Sequence, residues 1–165
     1  EVALSQITSV IEFGAGVGDN IHALRNIGSD AHMTGVEINP DSYHLLKQAA
    51  DEALLSSVVG FRPTRTWDLV LTRGLLIHIH PKDLPQVYDT LHKACGKYIL
   101  ICEYFCPTPR MIPYRGRDDM LWARDFAGEM LDRFDDLALL DYGFVSSRDP
   151  VSPQDDIHWW TLEKV

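Results

Sequence analysis

A chain of 165 residues, 45% hydrophobic and 24% charged, is long enough to bury a substantial core and is read as one domain. The formal charge is −9, from 24 acidic against 15 basic residues, and no basic stripe offsets it. That argues against nucleic acid as the main partner, because phosphate binding needs clustered Lys and Arg. No apolar run approaches the roughly 18 residues of a membrane span. No signal peptide is visible, and Cys95, Cys102 and Cys106 lack metal-ligand spacing, so reduced thiols in a cytoplasmic protein are expected and no metal site is. The chain opens six residues before its first predicted strand, so an amino-terminal lid segment is expected to be missing from it.

The first strand is predicted over Ile7–Phe13, buried on both faces. Gly14, Gly16 and Gly18 follow at alternate positions, and then Ile21, Leu24 and Ile27 recur at helical spacing. This is a strand, a tight glycine turn and a helix that runs to about Asn26 and closes at Gly28. A glycine turn at the carboxyl end of a first strand is where open α/β sheets bind nucleotides. A dinucleotide fingerprint requires Gly-x-Gly-x-x-Gly, and here the third glycine comes one residue early. A phosphate loop is disfavoured too, because no Lys-Ser/Thr follows the glycines.

The second strand is predicted over His32–Ile38, ending on the carboxylate Glu37. Asn39-Pro40-Asp41 turns the chain, and Asp41 or Ser42 is expected to cap a helix over Tyr43–Asp51. Residues 53–60 read as a weak third strand with its exit, and Trp67–Thr72 as a clear fourth. Pro81 is expected to open a helix reaching Ala94, with Gly96 stopping it before a fifth strand over Lys97–Glu103. Three prolines, Pro107, Pro109 and Pro113, exclude a regular element from residues 104–118. A helix over Trp122–Phe134 and strands over Leu137–Val145 and His158–Glu163 complete the chain. The last two strands have no helix between them, which implies an antiparallel hairpin. Five strand–helix units ahead of a hairpin make an α/β fold with a mostly parallel seven-stranded sheet and helices on both faces, its first four crossovers right-handed.

Acidic-x-Gly-x-Gly-x-Gly, followed by Glu37 after the next strand, resembles the class I S-adenosylmethionine (SAM) methyltransferases, a Rossmann-like fold. The blocks TRGLLIHIHPKDLPQVYDTLHKACGKYILICEY, YRGRDDMLWARDFAGEMLDRFDDLALLDYGFVSSRDP and PQDDIHWWTLEK look like the methyltransferases associated with pseudaminic acid biosynthesis. With the glycine motif they cover nearly the whole chain. The resemblance implies SAM as cofactor, S-adenosylhomocysteine (SAH) as product, and O- or N-methylation of a small polar acceptor. That acceptor would be a sugar or sugar nucleotide of bacterial surface glycans. It also implies Glu12, Gly14, Gly16 and Gly18 beside the methionine portion, Glu37 on the ribose diol and Ile38 under the adenine.

Ser57 and Val58, after the third strand, are candidates for the adenine edge, although Ser57 also suits a plain turn. Arg73 and Gly74 lie just past the fourth strand; Arg73 is a candidate for the SAM carboxylate or a substrate anion, or for a surface ion pair. His78 is the candidate general base, and the competing reading has it bond a backbone carbonyl and order its loop. Tyr104 ends the fifth strand on the same edge and is taken as its catalytic companion. Tyr114, Arg115 and Arg117 suit a carboxylate or phosphate on the acceptor, or pairing with nearby aspartates. Gln154, Asp155 and Asp156 are read as turn and capping residues, and Trp159 and Trp160 as facing opposite ways. A non-catalytic SAM-binding adaptor is the second hypothesis. A nicotinamide-dependent oxidoreductase ranks below both, because of the glycine spacing and the terminal hairpin.

Overall fold

The computed structural model describes residues 4–165. Seven strands form one sheet in the order β3-β2-β1-β4-β5-β9-β8. In chain order these are β1 (Ser9–Phe13), β2 (His32–Glu37), β3 (Glu52–Leu55), β4 (Trp67–Arg73), β5 (Cys95–Glu103), β8 (Leu137–Val145) and β9 (Ile157–Lys164). A separate two-stranded ribbon, β6 (Arg110–Met111) with β7 (Trp122–Ala123), stands over the sheet's carboxyl edge. The first five strands are parallel, while β9 runs antiparallel to both β5 and β8. The expected mostly parallel sheet with a carboxyl-terminal hairpin is therefore what the chain forms.

Helices α1 (Asp19–Asn26) and α2 (Pro40–Ala49) cover one face, where Ile21 and Leu46 pack on Val10 and Met33. Helices α3 (Leu84–Ala94) and α4 (Phe126–Arg133) cover the other. There Val87, Leu91, Phe126 and Met130 meet Ile11, Phe13, Val70, Ile99 and Ile101. Each of these side chains is essentially solvent-free, and burial of one such group contributes about 1.5–3 kcal/mol. Strand order reverses at β1: β2 lies on one side and β4 on the other. The carboxyl ends of β1, β2, β4 and β5 thus open a crevice at that switch point. Among the described residues no helix is long and apolar enough to cross a membrane.

Five expectations need correction. Asn39, and not Asp41 or Ser42, caps α2: its Oδ1 accepts from the Asp41 and Ser42 amides, and Pro40 occupies the first turn. Residues 56–66 carry β3 to β4 without a helix, Gly60 taking φ +81° and Pro63 following it, so the third of the five expected strand–helix units is a strand and a loop. Helix α3 starts at Leu84 instead of Pro81, because Pro85 tolerates only a first-turn position; three residues deeper it would clash with a carbonyl and leave a bond unmade. Trp122 and Ala123 are strand, and Asp125 caps α4 by accepting from the Gly128 amide. The prolines expected to exclude regular structure only bracket it, for Pro109 and Pro113 flank β6.

Candidate active site

The glycine turn between β1 and α1 is pinned to β2, where the Gly14 and Ala15 amides both donate to the Val36 carbonyl, at 2.9 and 3.0 Å. Gly14, Gly16 and Gly18 all hold positive φ, at +71°, +56° and +95°. A Cβ at Gly18 would come 2.5 Å from the Ala49 Cβ, so helix packing alone demands glycine there. A Cβ at Gly16 would meet nothing within 4 Å, which leaves the backbone open to an approaching ligand. Glu37, at the end of β2, joins this turn to the next. Its Oε2 accepts from the Gly16 amide at 2.8 Å and its Oε1 from the Asn39 amide at 2.7 Å. A carboxylate has about four lone-pair positions, so each oxygen keeps one for a ligand. Beside it Ile38 is 67% exposed, an apolar surface at the rim of the crevice.

Glu12, the last residue but one of β1, lies on the α1 side of the sheet and is buried. Its Oε1 accepts from Asn20 Nδ2 at 2.6 Å, while Oε2 has no partner. Burial pushes its carboxyl up to about 7, against the lowering effects of the Asn20 bond and the Arg73 charge. A buried oxygen without a donor, next to an open glycine turn, fits a ligand that brings an N–H or ammonium.

Ser57 and Val58 lie past β3, the first half-buried and the second buried. Ser57 Oγ accepts from the Val59 amide at 3.1 Å, and Val58 belongs to the main core. Arg73, at the end of β4, is exposed and donates from Nη2 to Gln154 Oε1; its neighbour Gly74 donates its amide to the Cys102 carbonyl at 3.0 Å. The chain then makes a single 3-10 turn over Leu76–His78, held from below by Glu103. Glu103 Oε1 accepts from the Leu75 and Leu76 amides at 3.0 and 2.9 Å, and Oε2 from Ile77 at 3.4 Å. Burial raises the Glu103 carboxyl to about 7 in spite of these bonds.

His78 ends this turn, exposed, with Nδ1 2.9 Å from the Met120 carbonyl. A carbonyl only accepts, so Nδ1 carries the proton in this pairing, and in the neutral ring Nε2 keeps a free lone pair. The loop-ordering contact therefore leaves His78 in the tautomer a base needs. Its ring lies 5.4 Å from that of Tyr114. His78, Arg73, Glu103, Tyr104 and Asp155 line one chamber of about 180 Å³. Burial, then the nearby Asp155 carboxylate, raises the Tyr104 hydroxyl above its ordinary value, so it stays protonated at neutral pH. On the α1 side Asn20, Arg73, Cys102 and Trp159 line an adjoining cleft of about 450 Å³.

Tyr114–Arg117 is a tight turn with Arg115 at φ +50° and Gly116 at φ +76°. Tyr114 reaches the His78 ring, but the arginines point elsewhere: Arg115 lies 5.2 Å over the Tyr114 ring and Arg117 is 3.7 Å from Asp119. Neither lines the chambers just described. Asp155 sits in the bend ahead of β9, in keeping with its reading as a turn residue, and also lines the chamber shared with His78. Asn20 is not among the residues the sequence brings forward, and Glu103 stands among them only by its place at the end of the fifth strand beside Tyr104. The available signal for Glu103 was positional, since Glu37 and Glu103 each end, and Glu12 nearly ends, a buried strand at the same sheet edge. Trp160 packs against the main core, and Trp159 faces the cleft.

No family model and no curated protein matches this chain by sequence. Solved structures do match in fold. The chain is similar to the Burkholderia thailandensis 1,6-didemethyltoxoflavin-N1-methyltransferase, solved with 1,6-didemethyltoxoflavin and SAH, at TM-score 0.75 and 17% identity over 95% of this chain and 71% of that one. It is similar to an O-methyltransferase of a Brevibacillus brevis trans-AT PKS multienzyme in complex with SAH, at TM-score 0.75 and 13% identity over 99% and 69% of the two chains. The magnesium protoporphyrin IX methyltransferase of Synechocystis PCC 6803 with bound SAM gives TM-score 0.68 and 12% identity over 96% and 70%. The fold is that of the Rossmann-like SAM-dependent methyltransferases.

Proposed function

We propose that this chain is a SAM-dependent methyltransferase acting on a small polar metabolite. The observation that carries the proposal is the crevice at the switch point. Glu37 is fixed to the open Gly16 backbone, Ile38 is bare beside it, and the buried Glu12 Oε2 lacks a donor. Neighbours of the same fold hold SAM or SAH, which supports that ligand. In this assignment Glu12 receives the amino group, Glu37 the ribose hydroxyls, and Ile38 packs on the adenine. The 57–58 stretch borders the adenine edge, and Arg73 and Gly74 border the carboxylate and transfer end. Bound SAM supplies an activated methyl group, so the protein's work is chiefly alignment, and orientation of this kind contributes several kcal/mol.

The acceptor atom is placed in the chamber lined by His78 and Tyr104. For a hydroxyl or protonated amine acceptor, His78 Nε2 takes the proton and Tyr104 donates a hydrogen bond. The acceptor class we assign is a sugar or sugar nucleotide of bacterial surface-glycan synthesis, after the pseudaminic acid-associated blocks, with oxygen or nitrogen as the accepting atom. Free thiols at all three cysteines suit a cytoplasmic setting. The test incubates the protein with methyl-labelled SAM and a panel of sugar nucleotides and sialic-acid-like sugars. Label in a sugar product supports the proposal. Tight SAH binding with no transfer to any member would favour the adaptor reading.

A further inference from the structure

Beside the chamber lined by His78 lies a second one of about 390 Å³ that the methyl-transfer chemistry does not use, the two sharing Tyr104 and Asp155 in their linings. Its lining is of unusual kind. Phe105 and Phe144 stand on the His158 ring at centroid distances of 5.2 and 4.7 Å, and His158 in turn stacks on Trp160 at 5.9 Å and 20°. Phe144 is 53% exposed at this position, so a large apolar ring is left facing the chamber. Burial lowers the His158 pKa, which favours the neutral ring among these aromatics.

The polar groups sort into two kinds. Asp156 accepts from the Ser147 amide at 2.8 Å, and Asp155 lies beside the Tyr104 hydroxyl. Arg110, carried into the chamber by the β6–β7 ribbon, forms no ion pair with any described residue. An exposed aromatic face takes a flat ring, a carboxylate takes the N–H donors on that ring's edge, and a free guanidinium takes a phosphate.

We infer that this second chamber binds the nucleoside phosphate portion of the acceptor, with the base against Phe144, the phosphate on Arg110 and the group to be methylated reaching back past Tyr104. The inference rests on the methyl-transfer reading above and makes a nucleotide-linked acceptor its specific form. It moves anion recognition from Arg115 and Arg117, which lie outside the chamber, to Arg110.

The test loads the protein with SAH, so that the cofactor crevice is filled, and titrates cytidine, uridine and guanosine monophosphates by calorimetry, with the bare nucleosides and ribose 5-phosphate as controls. At least one nucleotide binds in the submillimolar range, with saturation transfer from protein aromatic protons to its base protons. Arg110→Ala weakens the nucleotide about tenfold and leaves the nucleoside unchanged. Phe144→Ala weakens nucleotide and nucleoside alike, about tenfold, and leaves ribose 5-phosphate unchanged. Both side chains are exposed, so both variants fold, which an unchanged Tm and unchanged SAH affinity verify. Failure of every nucleotide to bind the SAH-loaded protein overturns the inference while the cofactor assignment stands, as does binding that neither substitution alters. Failure of SAH itself to bind removes the methyl-transfer reading instead.

Discussion

Glu37 holds two backbone amides, and its proposed cofactor role is tested by substitution. It holds the Gly16 and Asn39 amides, and in the functional reading its remaining lone pairs hold the ribose. Glu37→Ala removes charge-assisted bonds worth about 1.5–3 kcal/mol, so SAH affinity measured by calorimetry should fall about 10- to 100-fold. An unchanged affinity would sink the ribose role. Glu37→Gln keeps a carbonyl for one amide and should fall between the two. His78 is the complementary case, since its proposed work is on the proton rather than on the cofactor. His78→Ala should lower kcat about 100-fold or more while SAH affinity holds. A turnover rate equal to the parent's would leave His78 with only its contact to Met120.

At the scale of elements, the turn after β4 is the most exposed to a single change. Glu103 satisfies three amides that no other backbone group reaches, those of Leu75, Leu76 and Ile77. Glu103→Ala leaves them buried without acceptors, at a cost of about 3 kcal/mol or more. Thermal unfolding should register that loss, and amide exchange should accelerate at residues 75–78 well before global unfolding. Protection equal to the parent's would show the turn to be held by packing alone. This contact also lies beyond what local sequence pattern encodes. The glycine turn and Glu37 were legible because their chemistry is written within two adjacent strands. Glu103 acts on residues 28 positions upstream, a distance at which periodicity carries no signal. The mostly parallel sheet and its antiparallel end were legible from buried runs and from the helix-free last connection. The β6–β7 ribbon was not, because each strand has two residues and exists only through its partner. The start of α3 was missed for a local reason, for Pro85 outranks Pro81 once first-turn geometry is weighed.

Over the whole molecule, two buried carboxyls tie stability to pH. Glu12 and Glu103 each sit at about 7 in the folded chain against an ordinary value of 4.5, with burial the largest cause in both. Between those values the folded state binds more protons than the unfolded one, so stability contributed by both groups is full below 4.5 and declines as pH rises through 7. The two differ in what a ligand does to them. Glu103 is closed off by backbone amides, whereas Glu12 has an unpartnered oxygen beside the open turn. An ammonium placed there favours the ionised carboxylate, so binding of SAH near pH 6 should expel a proton from Glu12. Calorimetry in two buffers of different ionisation enthalpy reads that proton directly, and Glu12→Gln should abolish it. The pH slope of unfolding should correspondingly shrink in the SAH complex, with the Glu103 share remaining. Proton release that persists in Glu12→Gln would assign the coupling to another group and remove the amino-group contact from Glu12.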